Sequence, residues 1–115
     1  MSAMKPSPYA NFPFRVLWQG RTVAGVTRFR NDGSVLTLER GLTHDRAFDE
    51  WCKRADARRD LSIQLFGSDG ELSTTFHFSR CQPLRYDATP ELDGEGQAFV
   101  FATLTLETQL LGAMS

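Results

Sequence analysis

The side chains able to do covalent or metal chemistry are few. His44 and His77 are the only histidines, and Cys52 and Cys81 the only cysteines, in 115 residues. An imidazole acts as a general base or metal ligand only beside a nucleophile or further ligands, and neither histidine has a cysteine, aspartate or glutamate at ligand spacing. Cys52 falls on the apolar face of a helical pattern, and Cys81 follows Arg80 with no base in view, so both read as buried, reduced thiols. Two cysteines make no disulfide framework and no zinc pattern. Ser34 follows Gly33 without the G-x-S-x-G elbow that would expose a nucleophile. The clusters Gly67–Gly70 and Gly94–Gly96 match neither a P-loop nor a dinucleotide fingerprint. No catalytic residue, metal or cofactor is expected, and the chain is expected not to be an enzyme.

Two other patterns concern surfaces. Along Leu72 to Ser79, one face is Leu72, Thr74, Phe76 and Phe78, and the other is Ser73, Thr75, His77 and Ser79, all small or neutral polar groups. Such a face suits an ordinary exposed strand, or a smooth channel lining where bulky side chains would impede passage. Charge is also segregated. Residues 1–31 hold five bases (Lys5, Arg15, Arg21, Arg28, Arg30) and no acid, while residues 86–115 hold five acids (Asp87, Glu91, Asp93, Glu95, Glu107) and no base. Segregated solvated faces would give this pattern. So would ends that meet within or between subunits, with Arg15, Arg28 or Arg30 against Asp87, Asp93 or Glu95.

The elements that carry these residues are mostly strands. Residues 1–11 read as a flexible N-terminal arm, small and Pro-bearing, ahead of a single domain over residues 12–115. Phe12, Phe14, Val16 and Trp18 alternate with polar or outward positions, the period of a half-buried strand. Thr22 to Arg30 continues as a second strand, Asn31-Asp32-Gly33 is a hairpin turn, and Val35 to Arg40 returns. One helix is expected, from about Thr43 to Ala57, because Phe48, Trp51, Cys52 and Ala55 fall at i, i+3, i+4, i+7 after a candidate N-cap at Thr43. Leu61, Ile63 and Leu65 alternate next, Gly67 to Gly70 turns the chain, and Leu72 to Ser79 returns. Pro83 predicts a fresh or edge strand through Leu84 and Tyr86. Asp87 to Gln97 reads as an acidic loop. Gln97 to Leu106 reads as a strand apolar on both faces, either central in a two-layer sandwich or buried by another subunit, with Val100 and Leu104 as candidate subunit-interface residues.

The composition is that of one compact domain: 41% hydrophobic, 11% aromatic and 23% charged, with net charge −1. That balance excludes a disordered tail and a dominantly basic nucleic-acid binder. The longest apolar run, Ala98 to Ala102, is far short of the roughly 20 residues that span a bilayer, so no membrane association is expected. Residues 1–11 lack the apolar core of a secretory signal.

The run Phe12-Pro-Phe-Arg-Val-Leu-Trp-Gln-Gly20, then Leu36-Thr-Leu-Glu-Arg-Gly41, then Asp45 to Trp51 around Phe48, resembles the phage tail tube protein family of contractile tails. The resemblance continues through Arg59-Asp60-Leu-Ser-Ile63, the hairpin at Gly70, the strand ending near Pro83, and Thr103-Leu-Thr-Leu-Glu107, covering about Phe12 to Leu110. It implies a mainly β fold, a small antiparallel β-barrel or sandwich with one α-helix. It also implies a structural role in a phage tail or a phage-derived injection system. Six copies join edge to edge into a ring, and rings stack into a tube through which DNA or cargo passes without specific binding. Its partners would be itself, with sheath, baseplate or tape-measure proteins beside it. The tube would be assembled in the bacterial cytoplasm and located in the virion tail or injection apparatus.

The family usually carries a long insertion between the strands corresponding to Val23–Phe29 and Leu36–Arg40, reaching to the adjacent ring. Here only residues 30–35 join them, which leaves room for a specialised tube-end adaptor or initiator ring. The rival readings are a secreted type VI-like ring and a monomeric β-domain that binds a ligand or partner.

Overall fold

The computed structural model describes residues 8–93 and 96–114. Six strands and one helix follow in order: β1 Phe14–Trp18, β2 Arg21–Asp32, β3 Val35–Thr43, α1 Arg46–Arg54, β4 Arg59–Phe66, β5 Leu72–Asp93 and β6 Gly96–Met114. All neighbours are antiparallel, and the sheet closes on itself in the order β1-β2-β3-β6-β5-β4. The mainly β expectation with one helix holds. Glu95 lies outside the described residues, as do residues 1–7 of the expected arm. Residues 8–11 of that arm form a turn docked on the domain, with Tyr9 only 5% exposed.

Alternation fixes which side chains enter the closed sheet. Val16, Leu36, Leu38, Ile63, Leu104 and Leu106 are fully buried there, each worth about 1.5–3 kcal/mol of transfer from water. One end is filled by Phe14, Phe29 and Phe76, with Phe29 5.0 Å from Phe14 and 5.1 Å from Phe76 between ring centroids. The other end is plugged by α1, whose Trp51 stacks on Trp18 at 6.1 Å while Phe48 meets the same indole edge-on.

The helix is shorter than the expected Thr43 to Ala57. Thr43 ends β3 and spends its hydroxyl on the Val23 carbonyl, 2.6 Å away. Asp45 is the N-cap, its carboxylate accepting the Phe48 N–H at 2.9 Å. Ala55 turns left-handed at φ 54° and closes the helix by donating its N–H to the Trp51 carbonyl.

The acidic segment expected as a loop is instead the far part of a long β5–β6 hairpin, paired from Asp87–Thr103 to Asp93–Gly96. Pro83 does not start a new strand, but it does sit at an edge, where β5 has β6 as its one described neighbour. β5 runs through it, and the ladder shifts register between Ser79 and Gln82 and again between Pro83 and Arg85. These irregularities bend the strand and accommodate a residue that has no N–H to give.

β6 is not apolar on two faces. Phe99 and Phe101 point inward, then the inward parity changes, and Leu104 and Leu106 point inward as well. β3 changes parity at the same level, from Leu36 and Leu38 to Gly41 and Thr43, across Arg40 with its left-handed φ of 54°. Gly41 makes this possible, because a Cβ there would stand 2.1 Å from the Phe101 ring. Leu104, expected at a subunit boundary, is therefore in the core at 0% exposure, while Val100 is on the outside at 37%.

Candidate assembly surfaces

The residues that could have done chemistry are disposed structurally. Burial pushes the thiols of Cys52 and Cys81 above their ordinary pKa, reinforced by the carboxylates of Asp49 and Asp60 respectively, so neither is a ready thiolate. His77 lies on the outer face of β5, 2.9 Å from Ser62 Oγ. The His44 backbone N–H donates to the Tyr9 hydroxyl. Among the described residues no three histidine, cysteine or carboxylate side chains converge on a metal position. Asp49, the one buried carboxylate among the described residues, is held by the Tyr86 hydroxyl at 2.5 Å and the Lys53 ammonium at 2.9 Å, and it pins α1 to β5.

The closed sheet nevertheless has open edges, because its strands differ in length. β1 begins at Phe14 opposite Val26, so β2 from Thr27 to Asp32 has a described strand neighbour, β3, on one side only. β4 begins at Arg59 opposite Cys81, so β5 beyond Gln82 pairs with β6 alone. Part of that edge lies beside α1, where the Gln82 side-chain amide donates to the Ala55 carbonyl. Over this stretch β2-β3-β6-β5 is a four-stranded sheet with no described strand on either edge, and an unpaired edge is a template for another chain.

One row of the register places opposite charges on those two edges. Arg28 faces Glu39, Glu39 faces Thr103 and Thr103 faces Asp87. That transverse row spans three strand spacings, about 14 Å. The next row is Arg30, Thr37, Thr105 and Arg85. Both rows face away from the core. Arg28 is 75% exposed and 3.6 Å from Glu39, and Asp87 accepts from Arg85 at 2.9 Å. The backbone of Asp93 closes the hairpin opposite Gly96. Arg15 is elsewhere, on β1, its guanidinium 3.8 Å over the Phe66 ring.

Ser73, Thr75, His77 and Ser79 share the outer side of β5, opposite Phe76 and Phe78. Sequence reasoning did not add β4 to that face, yet Ser62 pairs with His77 and Gln64 with Thr75. The alternation of Ser62 and Gln64 with Leu61, Ile63 and Leu65 carried the signal. The open edges could not be found that way, since they depend on where neighbouring strands stop.

The family model of the T4-like virus tail tube protein gp19 matches residues 29–111, most of the chain. The chain belongs to this tail tube family. A chain from a solved structure described as the cryo-EM structure of the anti-feeding prophage baseplate, 6-fold symmetrised, is similar with a TM-score of 0.51. The match covers 100% of this chain and 98% of that one at 18% identity, a likeness of fold. A search of curated proteins by sequence gives no significant match.

Proposed function

We propose that the protein is a non-enzymatic structural subunit of a contractile tail or injection apparatus that builds a ring by joining the open β2 edge of one copy to the open β5 edge of the next. The observation that carries this reading is the row from Arg28 to Asp87, which puts a base at one edge and an acid at the other. Such an interface is heterologous, so it closes only as a ring, and each copy covers its neighbour's edge. Six copies would contribute about 24 strands, and at about 4.8 Å per strand the circumference is roughly 115 Å, about 37 Å across between backbones. That leaves a channel wide enough for nucleic acid or a folded cargo to pass. In this arrangement the channel wall is the outer side of the four-stranded sheet, with Thr37, Thr103 and Thr105 among its charged neighbours. The face of Ser73, Thr75, His77 and Ser79 belongs to the β4–β5 side and is left for sheath, baseplate or tape-measure contacts.

The short β2–β3 turn, from Asp32 to Val35 through Gly33 at φ 64°, favours an end ring, an adaptor or initiator beside the baseplate, over the repeating ring of the tube body. The likeness to a baseplate chain supports the same choice. Native mass of the purified protein, followed by negative-stain imaging, tests the proposal. Closed rings of six are expected, and a monomer at high concentration contradicts it.

A further inference from the structure

Beside the turn from β1 to β2 lies a basic pocket that neither open edge explains. It is lined by Trp18 and Gln19 from that turn, by Arg58, Arg59 and Asp60 at the head of β4, and by Arg80 on β5. The backbone is pinned to hold Arg80 there. Arg80 is left-handed at φ 52°, where the β5 ladder shifts register. Asp60 Oδ1 accepts its N–H at 3.0 Å, and Arg58 Nη1 donates to its carbonyl at 2.9 Å. Gln19 is left-handed as well, at φ 56°. Non-glycine residues persist in that conformation only where their surroundings over-determine it, and they cluster at binding sites.

The charges around the pocket do not cancel. Arg58 is spent on Glu107 at 2.5 Å. Arg21, 5.7 Å over the Trp18 ring, is spent on Asp45 at 3.0 Å. Arg59 is held by packing instead, its guanidinium 5.1 Å over the Trp18 ring. Its side chain meets no acceptor among the described residues, and its Nε is buried in that state. The Arg80 side chain has no carboxylate partner among the described residues either. The Trp18 indole N–H is a further buried donor without an acceptor there. Asp60 offsets one of the two free guanidiniums, which leaves a single positive charge over. One charge with planar N–H donors suits a carboxylate, which a guanidinium grips through two parallel bonds. A nucleic acid would need a track of such charges, and a chain of net charge −1 carries no such surplus.

We propose that this pocket binds a carboxylate side chain on an acidic segment of another protein, with Arg59 as the main contact and Arg80 beside it. None of its residues belongs to the edge stretches of β2 from Thr27 to Asp32 or of β5 beyond Gln82, so the site does not rest on ring formation.

The test titrates the intact protein with a blocked tetra-glutamate peptide and follows the two indole N–H signals by NMR. A tetra-glutamine peptide, inorganic phosphate and an oligothymidylate are separate arms. The glutamate peptide is expected to move the Trp18 signal well beyond that of Trp51, whose N–H already donates to the Ala57 carbonyl at 2.7 Å. Arg59→Gln should weaken this binding about tenfold, the scale of one lost hydrogen-bonded charge. No response would overturn the proposal outright. An equal response to the glutamine peptide, phosphate or the oligothymidylate would overturn the carboxylate assignment. Arg80→Gln, at an exposed position, gives a second reading if Arg59→Gln fails to fold. A folded Arg80→Gln protein that binds as tightly as the native one contradicts the site. Native mass should be unchanged in both variants, and loss of assembly would overturn the proposal in favour of a second copy's carboxylate.

Discussion

Arg28 and Asp87 stand on one transverse row of the sheet, at its two open edges, with Glu39 and Thr103 between them. They are too far apart to pair within a chain, and they present opposite charge to whatever adds to each edge. Reversing one charge, Arg28→Glu or Asp87→Arg, should weaken assembly, and the double reversal should restore part of it. Each exposed pair contributes about 0–1 kcal/mol, but a ring repeats the loss at every boundary. Native mass against salt checks this. Assembly should weaken as the Debye length falls below about 8–10 Å, and indifference to both salt and charge reversal would remove the electrostatic part of the account.

Leu104 and Val100 should separate cleanly. Leu104 is fully buried inside the closed sheet, so Leu104→Ala should cost about 2–5 kcal/mol of stability. Val100→Ser, on the outer face, should cost well under half of that. Denaturant unfolding of the two variants decides it, and equal losses would mean that the two residues share one environment.

Gly41→Ala should destabilise the fold, because the new methyl would stand 2.1 Å from the Phe101 ring. A loss of about 1–3 kcal/mol is the usual scale of overpacking. Adding Phe101→Leu should recover part of it. No recovery would point to the backbone at Arg40 as the seat of the strain.

Much of the fold was legible from local signals, and its failures have physical causes. Alternation located the strands, and Phe48, Trp51 and Cys52 located the helix. The N-cap fell at Asp45, because Thr43 was already committed to the β3 ladder through Val23. β6 looked apolar on two faces because its inward parity changes between Phe101 and Leu104, where Arg40 and Gly41 on the neighbouring strand permit it. Short-range patterns cannot see a parity change that needs a partner strand. The same limit hid the open edges. Arg28 and Asp87 were visible as charges, but their common row is a matter of register across four strands.

Alkali should destabilise the protein. Burial, and for Tyr86 the Asp49 carboxylate, raise the pKa values of Cys52, Cys81, Tyr9 and Tyr86 above ordinary values of 9.0 for the thiols and 10.0 for the phenols. The unfolded chain releases these protons at the ordinary values and the folded chain holds them longer. Their stabilising share is therefore complete below about pH 9 and declines as pH rises beyond it. Tyr86→Phe should flatten the alkaline limb while lowering stability at neutral pH by about 1–3 kcal/mol, since Asp49 loses a donor. Unchanged alkaline behaviour in that variant would remove Tyr86 from the explanation.

Axial growth should be limited. The turn between Asp32 and Val35 offers no long segment to an adjacent ring, so purified protein should form single rings or short stacks across a range of concentrations. Electron microscopy of the protein alone checks this, and long regular tubes would show that stacking uses another surface.

The ring itself is tested most directly by a disulfide between Arg28→Cys and Asp87→Cys in one chain. Within a subunit the two positions are about 14 Å apart, beyond the roughly 7 Å between Cα atoms that a disulfide can bridge. Oxidation should therefore join only neighbours, giving a covalent ladder that ends at six copies. Protein that stays a single uncross-linked chain under the same oxidation would contradict the edge-to-edge ring.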